Sequence, residues 1–270
     1  MATSHHQCIN KQGYFLRSTG LENDVHRVER RQNYSVKTKK HNIYSNYWML
    51  YLYDLPKGRL KIRHGRKIIE VAGPKAIYIP PLTPVTFEFS AGLFEWTAYY
   101  INSKGEKGLP HAPKVFQWNK QTPLKNYAQI MDFLLRKENG IHADLSYNSS
   151  HVVSKVQTFI NRHYSEPIDL MSMSKDLGLP YSTISHSFQH MFGFSPIVYR
   201  NTVRTFKALQ LIGQGQSLTD ACYLSGFSDY STFYRNFNTI LDNKPSEFIQ
   251  TPPSDYEDNN QDLYLCEGYL

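Results

Sequence analysis

An internal repeat near the C-terminus constrains the fold of this 270-residue chain more than any other feature. Residues 181–188, YSTISHSF, match residues 230–237, YSTFYRNF, at an offset of 49, and each copy leads to a proline at the same offset. Upstream, Gly178 pairs with Gly226 at an offset of 48, so one turn is a residue longer in the second copy. Two short amphipathic helices joined by a glycine-containing turn are typical of a helix-turn-helix motif. The repeat therefore predicts two such units.

The first copy divides into a buried and an exposed helix face. Asp169 is a candidate cap for the first helix, and Gly178 makes the turn. In the second helix Ile184, Phe188 and Phe192 recur every four residues, so we expect them to face the core. The side chains away from that stripe are candidate contacts to a nucleic acid: Ser182, Thr183, His186 and Gln189, with His190 as an alternative to Gln189.

The second copy repeats this arrangement. Ser217 and Asp220 form a candidate capping box, and Gly226 makes the turn. The predicted buried stripe consists of Phe233, Phe237 and Leu241. The candidate contacts are Tyr230, Ser231, Thr232, Arg235 and Asn238. Arg235 is the strongest of them, because a guanidinium bonds both O6 and N7 of guanine, which neither Ser nor His can match.

The segment between the copies, residues 196–213, is predicted to be a buried linking helix. Its apolar face is marked by Val198, Val203, Phe206 and Leu209 to Leu211. A rigid helix would hold the two units at a fixed separation, and reading helices one DNA turn apart, ~34 Å, enter successive major grooves of a duplex.

Net charge does not support a nucleic-acid partner for this segment. The chain carries a formal charge of +7, which suggests a polyanionic partner. However, residues 1–118 hold 18 Lys and Arg against 8 Asp and Glu, whereas residues 151–250 hold 8 against 7. A helical bundle that binds no DNA is therefore the alternative for the C-terminal segment. Against it, the exposed positions at matching sites are small or hydrogen-bonding, which suits close approach to base edges.

Residues 43–101 have the pattern of β-strands. Apolar and polar side chains alternate through residues 85–89 and 94–100. His64-Gly65 and Gly73-Pro74 are predicted turns, and Pro80-Pro81 is predicted to end a strand. Several short strands at this spacing predict a small sandwich or barrel.

The rest of the chain suggests a division into domains. Residues 122–137 predict a helix with Thr122 as cap and Pro123 at its first position, and its apolar stripe fits either pairing of two chains or packing on the barrel. We expect a sensing and dimerisation domain at 1–118, a helix and linker at 119–150, and a helical domain at 151–250 with units at 170–192 and 218–241. The acidic tail, 251–270, is expected to be disordered.

Residues 152–250 resemble the AraC/XylS family of bacterial transcription regulators. The resemblance rests on residues 188–196, FQHMFGFSP, and more specifically on residues 218–237, LTDACYLSGFSDYSTFYRNF. It implies that the second helix of each unit lies in the major groove of double-stranded DNA. Carried over position by position, the main base contacts fall on Ser182 and His186 and then on Ser231 and Arg235. The second unit is accordingly expected to supply most of the sequence discrimination.

This chain departs from the family pattern at a few positions. Pro180 stands where a Ser cap is usual, and Ser174 and Cys222 stand where Ala is common. Asp242 stands where the first copy has Gly193. Small side chains at buried sites are tolerable, so we expect the fold to hold.

The N-terminal half resembles the cupin-like sensor domain of the same family. The resemblance rests on residues 72–81, AGPKAIYIPP, followed by the strands at 86–89 and around Trp96. Enzymatic cupins hold a metal with two His and a carboxylate, whereas here Val85 occupies the usual histidine site and His64 is alone. We therefore expect no metal, no cofactor and no enzymatic activity. A metal-dependent cupin enzyme is the competing hypothesis, which an analysis finding one iron or manganese per chain would support.

A small-molecule effector is expected in the barrel. The candidate lining residues are Trp48, Tyr51, Tyr78 and Trp96, which suit a sugar or an aromatic ligand, although ordinary core packing explains them as well. The basic excess of the N-terminal half suggests an anionic effector such as a sugar acid, and a solvated basic surface is the alternative reading.

Other expectations follow from the resemblance and from composition. The family mostly activates transcription, often by touching RNA polymerase, and a homodimer would place four reading units on DNA. There is no apolar signal core at the N-terminus and no apolar run of membrane-spanning length, so we expect a cytoplasmic protein with no membrane partner. The three cysteines are odd in number and widely spaced, which favours reduced thiols over disulfides.

Overall fold

The computed structural model describes residues 6–11, 13–21, 25–43, 47–102, 108–121, 124–136, 141–146 and 151–249. Within these ranges the N-terminal part is a ten-stranded antiparallel sheet and the C-terminal part is helical. The acidic tail, 251–270, and the predicted cap Thr122 with Pro123 lie outside the described residues. None of the described helices is both long and apolar enough to span a bilayer.

The strands follow the order β1-β2-β3-β8-β5-β6-β9-β10 across the sheet, and β7 bridges β4 and β5. They are β1 (His6–Lys11), β2 (Tyr14–Leu21), β3 (Val25–Tyr34), β4 (Thr38–Asn42), β5 (Tyr47–His64), β6 (Lys67–Ile79), β7 (Val85–Phe89), β8 (Gly92–Asn102), β9 (Lys114–Gln117) and β10 (Ile141–Asp144).

The strand predictions for residues 43–101 are confirmed with one correction. The hairpin at His64-Gly65 joins β5 to β6, and β6 ends before Pro80-Pro81. The turn predicted at Gly73-Pro74 is wrong, because both residues lie inside β6 and pair with Leu55 and Asp54 of β5. The irregularity falls instead in β5, as a register shift between residues 55 and 60. A bulge absorbs the extra residues and leaves β6 continuous.

The sheet also contains strands that the sequence pattern does not reveal. Strands β1 to β4 precede the predicted β region. Strand β10 lies within the stretch predicted as a helix and linker, 119–150, and pairs with β9. Polar residues interrupt the apolar alternation in these strands, so pairing with neighbours rather than local periodicity determines them.

The two sheet faces build separate cores. One face contributes Tyr51, Tyr53 and Trp96 to a cluster of buried apolar side chains. The other face contributes Trp48 and Tyr78 to a second cluster, which helix α1 (Tyr127–Leu135) covers. The buried side chains of α1 are Ile130, Met131, Phe133 and Leu134. The apolar stripe of the predicted 122–137 helix therefore packs on the sheet in this structure.

Helix α1 is shorter than predicted. Its N-cap is Asn126, whose side chain accepts a hydrogen bond from the backbone N–H of Gln129 at 3.0 Å. The described residues 124–126 are not helical, so the helix begins later than the predicted start. A Thr-Pro pair is a good start signal, but the Asn cap four residues later starts the helix where the apolar side chains meet the sheet.

The C-terminal part contains six α-helices among the described residues. They are α2 (His151–His163), α3 (Leu170–Leu177), α4 (Tyr181–Phe192), α5 (Pro196–Gly213), α6 (Leu218–Leu224) and α7 (Tyr230–Leu241), followed by a 3-10 turn at Pro245–Phe248. The predicted linking helix is confirmed as α5. Val198 is an exception to its buried face, with 40% of its surface exposed. It lies five residues before Val203, which places it roughly 140° away around the helix.

The loop between α2 and α3 ties the helices together. Arg204 of α5 donates to the carbonyl oxygens of Tyr164 at 2.5 Å and Glu166 at 2.8 Å. Arg200 donates to the carbonyl of Ile168. Burial lowers the pKa of Arg204 to about 10, so the guanidinium remains charged at neutral pH. Both arginines therefore satisfy backbone carbonyls that the loop would otherwise leave without partners.

Gly226 packs directly on this loop. Its φ is +97°, and a Cβ at this position would lie 2.4 Å from the Cα of Ser165. Only glycine fits, because a side chain is both conformationally strained and blocked by backbone that cannot rotate away. The turn between α6 and α7 is thus fixed against the loop that precedes α3.

We predict that Gly226→Ala lowers the free energy of unfolding by about 3 kcal/mol or more, since conformational strain and a backbone clash act together. Gly193→Ala is the matched control, because Gly193 also has a positive φ, +82°, but has no atom within 4 Å of the added Cβ. Conformational strain alone is expected to cost the control about 1 kcal/mol. Urea unfolding measures both, and equal losses would contradict the close packing on Ser165.

Candidate nucleic-acid interface

Two helix pairs, α3 with α4 and α6 with α7, share one local design. Asp169 caps α3 through a hydrogen bond from the N–H of Ser172, as predicted. Gly178 ends α3 in the left-handed conformation, with φ +62°. Ser217 caps α6 through the N–H of Asp220, and its hydroxyl also donates to the Asp220 carboxylate at 2.6 Å. The predicted buried stripes of α4 and α7 are confirmed: Ile184, Phe188, Phe192, Phe233, Phe237 and Leu241 are all buried.

The candidate contact residues lie on the opposite sides of α4 and α7. On α4, Thr183 is half-buried and the exposed members are Ser182, His186 and Gln189. On α7, Thr232 is half-buried and the exposed members are Tyr230, Ser231, Arg235 and Asn238. Each helix therefore presents hydroxyl, imidazole, amide or guanidinium groups to the outside while its aromatic stripe is buried.

The two helices begin differently. Asp229 caps α7, and its carboxylate accepts from the N–H of Thr232 at 2.7 Å. Pro180 precedes α4 and provides no side-chain cap, as its residue type requires. The uncapped first turn of α4 suits an anion, since backbone N–H groups and the helix dipole both favour negative charge there.

Positive charge on the two helices is sparse. The sequence of α4 contains neither Lys nor Arg, and that of α7 contains Arg235 alone. Two more of the basic residues in 151–250, Arg200 and Arg204, bond backbone carbonyls in the interior. Arg235 is therefore the one permanent cation that these two helices present at their exposed faces.

The sheet contacts the C-terminal ends of both helices. Arg66 donates to Nδ1 of His190 at 2.8 Å, and the ring of His64 lies 6.4 Å from that of Phe192 at the end of α4. At the end of α7, Lys40 forms an ion pair with Asp242 at 2.5 Å. His190 is thus engaged by the sheet, whereas the exposed candidates Ser182, Tyr230 and Ser231 lie in the N-terminal turns of α4 and α7.

The predicted effector residues separate onto two faces of the sheet. Tyr51 and Trp96 line a cavity between the sheet and α7. Trp48 and Tyr78 are buried on the other face, in the cluster that includes α1. The same cavity is lined by Arg30, Lys40 and Asp242, which the sequence reasoning did not single out as a group. They lie far apart in the sequence, so only the tertiary fold brings them together.

His64 is buried, and its Nδ1 lies 2.7 Å from the carbonyl oxygen of Pro84. Burial lowers its pKa to about 4, so the ring is neutral at physiological pH. Across the described part of the chain no group of three or more His, Cys, Asp or Glu side chains is arranged to hold a metal ion.

Comparisons with known proteins agree with this architecture. A family model described as a helix-turn-helix domain matches residues 173–251. An uncharacterized HTH-type transcriptional regulator of Bacillus subtilis, YbfI, is 30% identical over 110 residues, covering 39% of this chain and 38% of that protein. The HTH-type transcriptional activator RhaS of Yersinia pestis is 25% identical over 145 residues, covering 53% of this chain and 50% of RhaS. The chain thus spans about half or less of these relatives' lengths.

The fold as a whole is similar to that of a solved structure. ToxT from Vibrio cholerae superposes with a TM-score of 0.51 and 12% identity, covering 83% of this chain and 97% of ToxT. A likeness at this identity supports the fold alone. It matches a large antiparallel sheet followed by a helical C-terminal part.

We predict a pH dependence of stability from the Asp229 cap. Hydrogen bonds from the backbone N–H and side chain of Thr232 hold the pKa of Asp229 below its ordinary value of 3.8. A lowered folded-state pKa means that the ionised cap stabilises the protein above the unfolded pKa, and this contribution is lost as the pH falls through the folded value. Asp229→Asn still caps but does not titrate. Its unfolding free energy, measured from about pH 6 to pH 3, is expected to fall less than that of the wild type, and an identical slope would refute the assignment.

Proposed function

We propose that this chain, whose C-terminal part carries a helix-turn-helix domain of the AraC type, is a sequence-specific, DNA-binding regulator of transcription with two reading units. The units are α3 with α4 and α6 with α7. One observation carries the proposal: α4 and α7 have matching buried stripes and expose small or hydrogen-bonding side chains at matching positions. A helical bundle that binds no DNA would need the matching buried stripes but not the matching exposed side chains.

The two units are proposed to divide the work of binding. Arg235 of α7 reads guanine through two hydrogen bonds, which supplies the strongest base discrimination. Ser182 and His186 of α4 make weaker base contacts, and the uncapped start of α4 favours a backbone phosphate. Helix α5 and the loop it holds fix the separation between the units, as entry into successive grooves requires.

The near-neutral charge of this segment determines what kind of binding is expected. A protein that makes few phosphate contacts has a shallow dependence of affinity on salt concentration. We therefore infer that hydroxyls, helix N-termini and a few basic side chains provide most of the affinity for DNA. Pairing of two chains, with four reading units, would raise the affinity.

We further propose that residues 1–118 form a cupin-like sensor and dimerisation domain, joined through 119–150 to the DNA-binding domain at 151–250. A small molecule, with a sugar or sugar acid as the first class to examine, binds in the cavity lined by Tyr51 and Trp96. The resemblance to AraC/XylS regulators supports an activator that contacts RNA polymerase.

Arg235→Ala tests the central claim. The variant is expected to lose about 1–3 kcal/mol of binding free energy for its operator and to relax base choice at one position. Lys244→Ala is the control, because it removes the same charge from the segment just beyond α7. It is expected to weaken binding to all sequences alike, or not at all. Electrophoretic shifts on the DNA upstream of the chain's own gene measure both, and unchanged binding by Arg235→Ala would refute the assignment of α7.

A further inference from the structure

The cavity between the sheet and α7 has an aromatic wall and a charged mouth. Tyr53, Phe89 and Trp96 belong to its wall, and Leu241 closes it from the helical side. Its volume is about 40 Å³. Small-molecule sites usually measure about 300–1,000 Å³. An effector therefore cannot enter while α7 is closed against the sheet.

Arg30 carries a positive charge into this cavity. Its guanidinium carbon lies 5.0 Å from the ring centre of Tyr14 and 5.3 Å from that of Trp96. One of its nitrogens donates to Gln32 at 2.8 Å, while its Nε is buried and has no hydrogen-bond partner among the described residues. No described carboxylate lies within salt-bridge distance of it. A partly buried cation whose buried Nε lacks a partner is suited to bind an anion.

The carboxylate of Asp242 lines the same cavity as Arg30. One of its oxygens accepts from Lys40 at 2.5 Å, and the other accepts from the side-chain amide of Gln32 at 3.3 Å. Gln32 in turn bonds Arg30, and Tyr34 donates to the same amide oxygen at 3.2 Å. The Asp242 carboxylate at the end of α7 thus contacts Lys40 and Gln32 of the sheet, and Gln32 links it to Arg30. We call Lys40 and Arg30 the cation cluster.

Asp242 is locally unfavourable where it stands. It ends α7 in the left-handed conformation, with φ +60°, which glycine adopts at no steric cost. It also places a negative charge at the C-terminal end of a helix, where the dipole disfavours it. At the matching end of α4 the chain has Gly193, also left-handed, with φ +82°. The contacts to Lys40 and Gln32 offset both costs, and they are specific to the second copy.

We propose that Lys40, Gln32 and Arg30 form a carboxylate-binding site at the mouth of the cavity, and that Asp242, the C-cap of α7, fills this site in the closed arrangement. An effector carrying a carboxylate would take the place of Asp242 and so release the end of the second reading helix. The proposal deepens the proposed function, since it rests on the cavity being the effector site and names the ligand's charged group.

The size of the cavity makes binding and closure mutually exclusive. A ligand of the size that small-molecule sites usually hold needs the space that Leu241 and Asp242 now occupy. A ligand that binds only the open arrangement shifts the population toward it. Its carboxylate replaces the attraction that Lys40 loses when Asp242 leaves, which lowers the cost of opening.

Acetate tests the site without knowledge of the effector. In the full-length Asp242→Gly variant the cation cluster loses its internal partner, and Gly suits the left-handed φ. Roughly 100 mM acetate is expected to raise the melting temperature of this variant by about 3 °C. Acetamide, which has the same shape and no charge, is expected to leave it unchanged when sodium chloride equalises the ionic strength. Equal effects of the two compounds, or none from acetate, would overturn the site.

Two lysine variants in the Asp242→Gly background locate the effect. Lys40→Met is expected to abolish the response to acetate. Lys39→Met is the matched control, because the neighbouring Lys39 pairs with Glu88 at 3.5 Å and lies outside the cavity lining. It is expected to keep the full response. If both variants lose it, or if Lys40→Met keeps it, the anion binds elsewhere and the proposal is wrong.

Displacement is tested on the wild-type chain by hydrogen exchange. Acetate, and not acetamide, is expected to speed exchange of the amides at the C-terminal end of α7, and unchanged exchange at saturating acetate would overturn the displacement. Operator binding by the same samples reports separately on the proposed function. A chain that responds to acetate but binds no DNA would refute the regulator assignment and leave the carboxylate site standing.

Discussion

The close approach of Gly226 to the loop before α3 is the contact on which the geometry of the helical part depends. Glycine lets the turn of the second helix pair lie on the backbone of Ser165. Arg204 also holds this loop, because its guanidinium donates hydrogen bonds to two of the loop's carbonyl oxygens. Since Arg204 belongs to α5, one loop connects the linking helix with both helix pairs. The relative orientation of the two helix pairs is therefore constrained by a backbone contact and by hydrogen bonds from an arginine side chain to backbone carbonyls.

Much of the helical part could be predicted from the sequence, because its determinants are local. The caps Asp169 and Ser217, the turn at Gly178 and the buried stripes all depend on residues within one or two helical turns of each other. The sheet was predicted only where apolar and polar residues alternate. Strands β1 to β4 and β10 depend on pairing with distant strands, and the bulge in β5, not the Gly73-Pro74 dipeptide, absorbs the irregularity. The start of α1 was misplaced for the same reason, since contact with the sheet selects Asn126 over an earlier signal.

In the candidate site, too, some features follow from the local sequence and others depend on the tertiary fold. Which side chains of α4 and α7 are exposed follows from helical periodicity, so they could be named from sequence alone. The sequence could not show that Arg200 and Arg204 bond backbone carbonyls in the interior, because a count of positive charges treats every arginine alike. Their removal from the surface leaves the exposed helix faces with less positive charge than the sequence total suggests. If these faces bind DNA as proposed, recognition depends more on the identity and placement of a few groups, and Arg235 is the most important of them.

The difference between Asp242 and Gly193 is informative because the two positions share one backbone conformation. In a repeat whose copies serve the same role, each copy should converge on the residue its backbone prefers, which is glycine. The second copy keeps a residue that its φ and the helix dipole both disfavour, and the compensating contacts lie on the sheet rather than within the unit. Selection for the stability of the helix pair alone would not favour aspartate over glycine at this position. The end of α7 is therefore shaped by its contacts with the sheet, and these contacts connect the sheet to the helix that carries Arg235, the residue proposed to read bases.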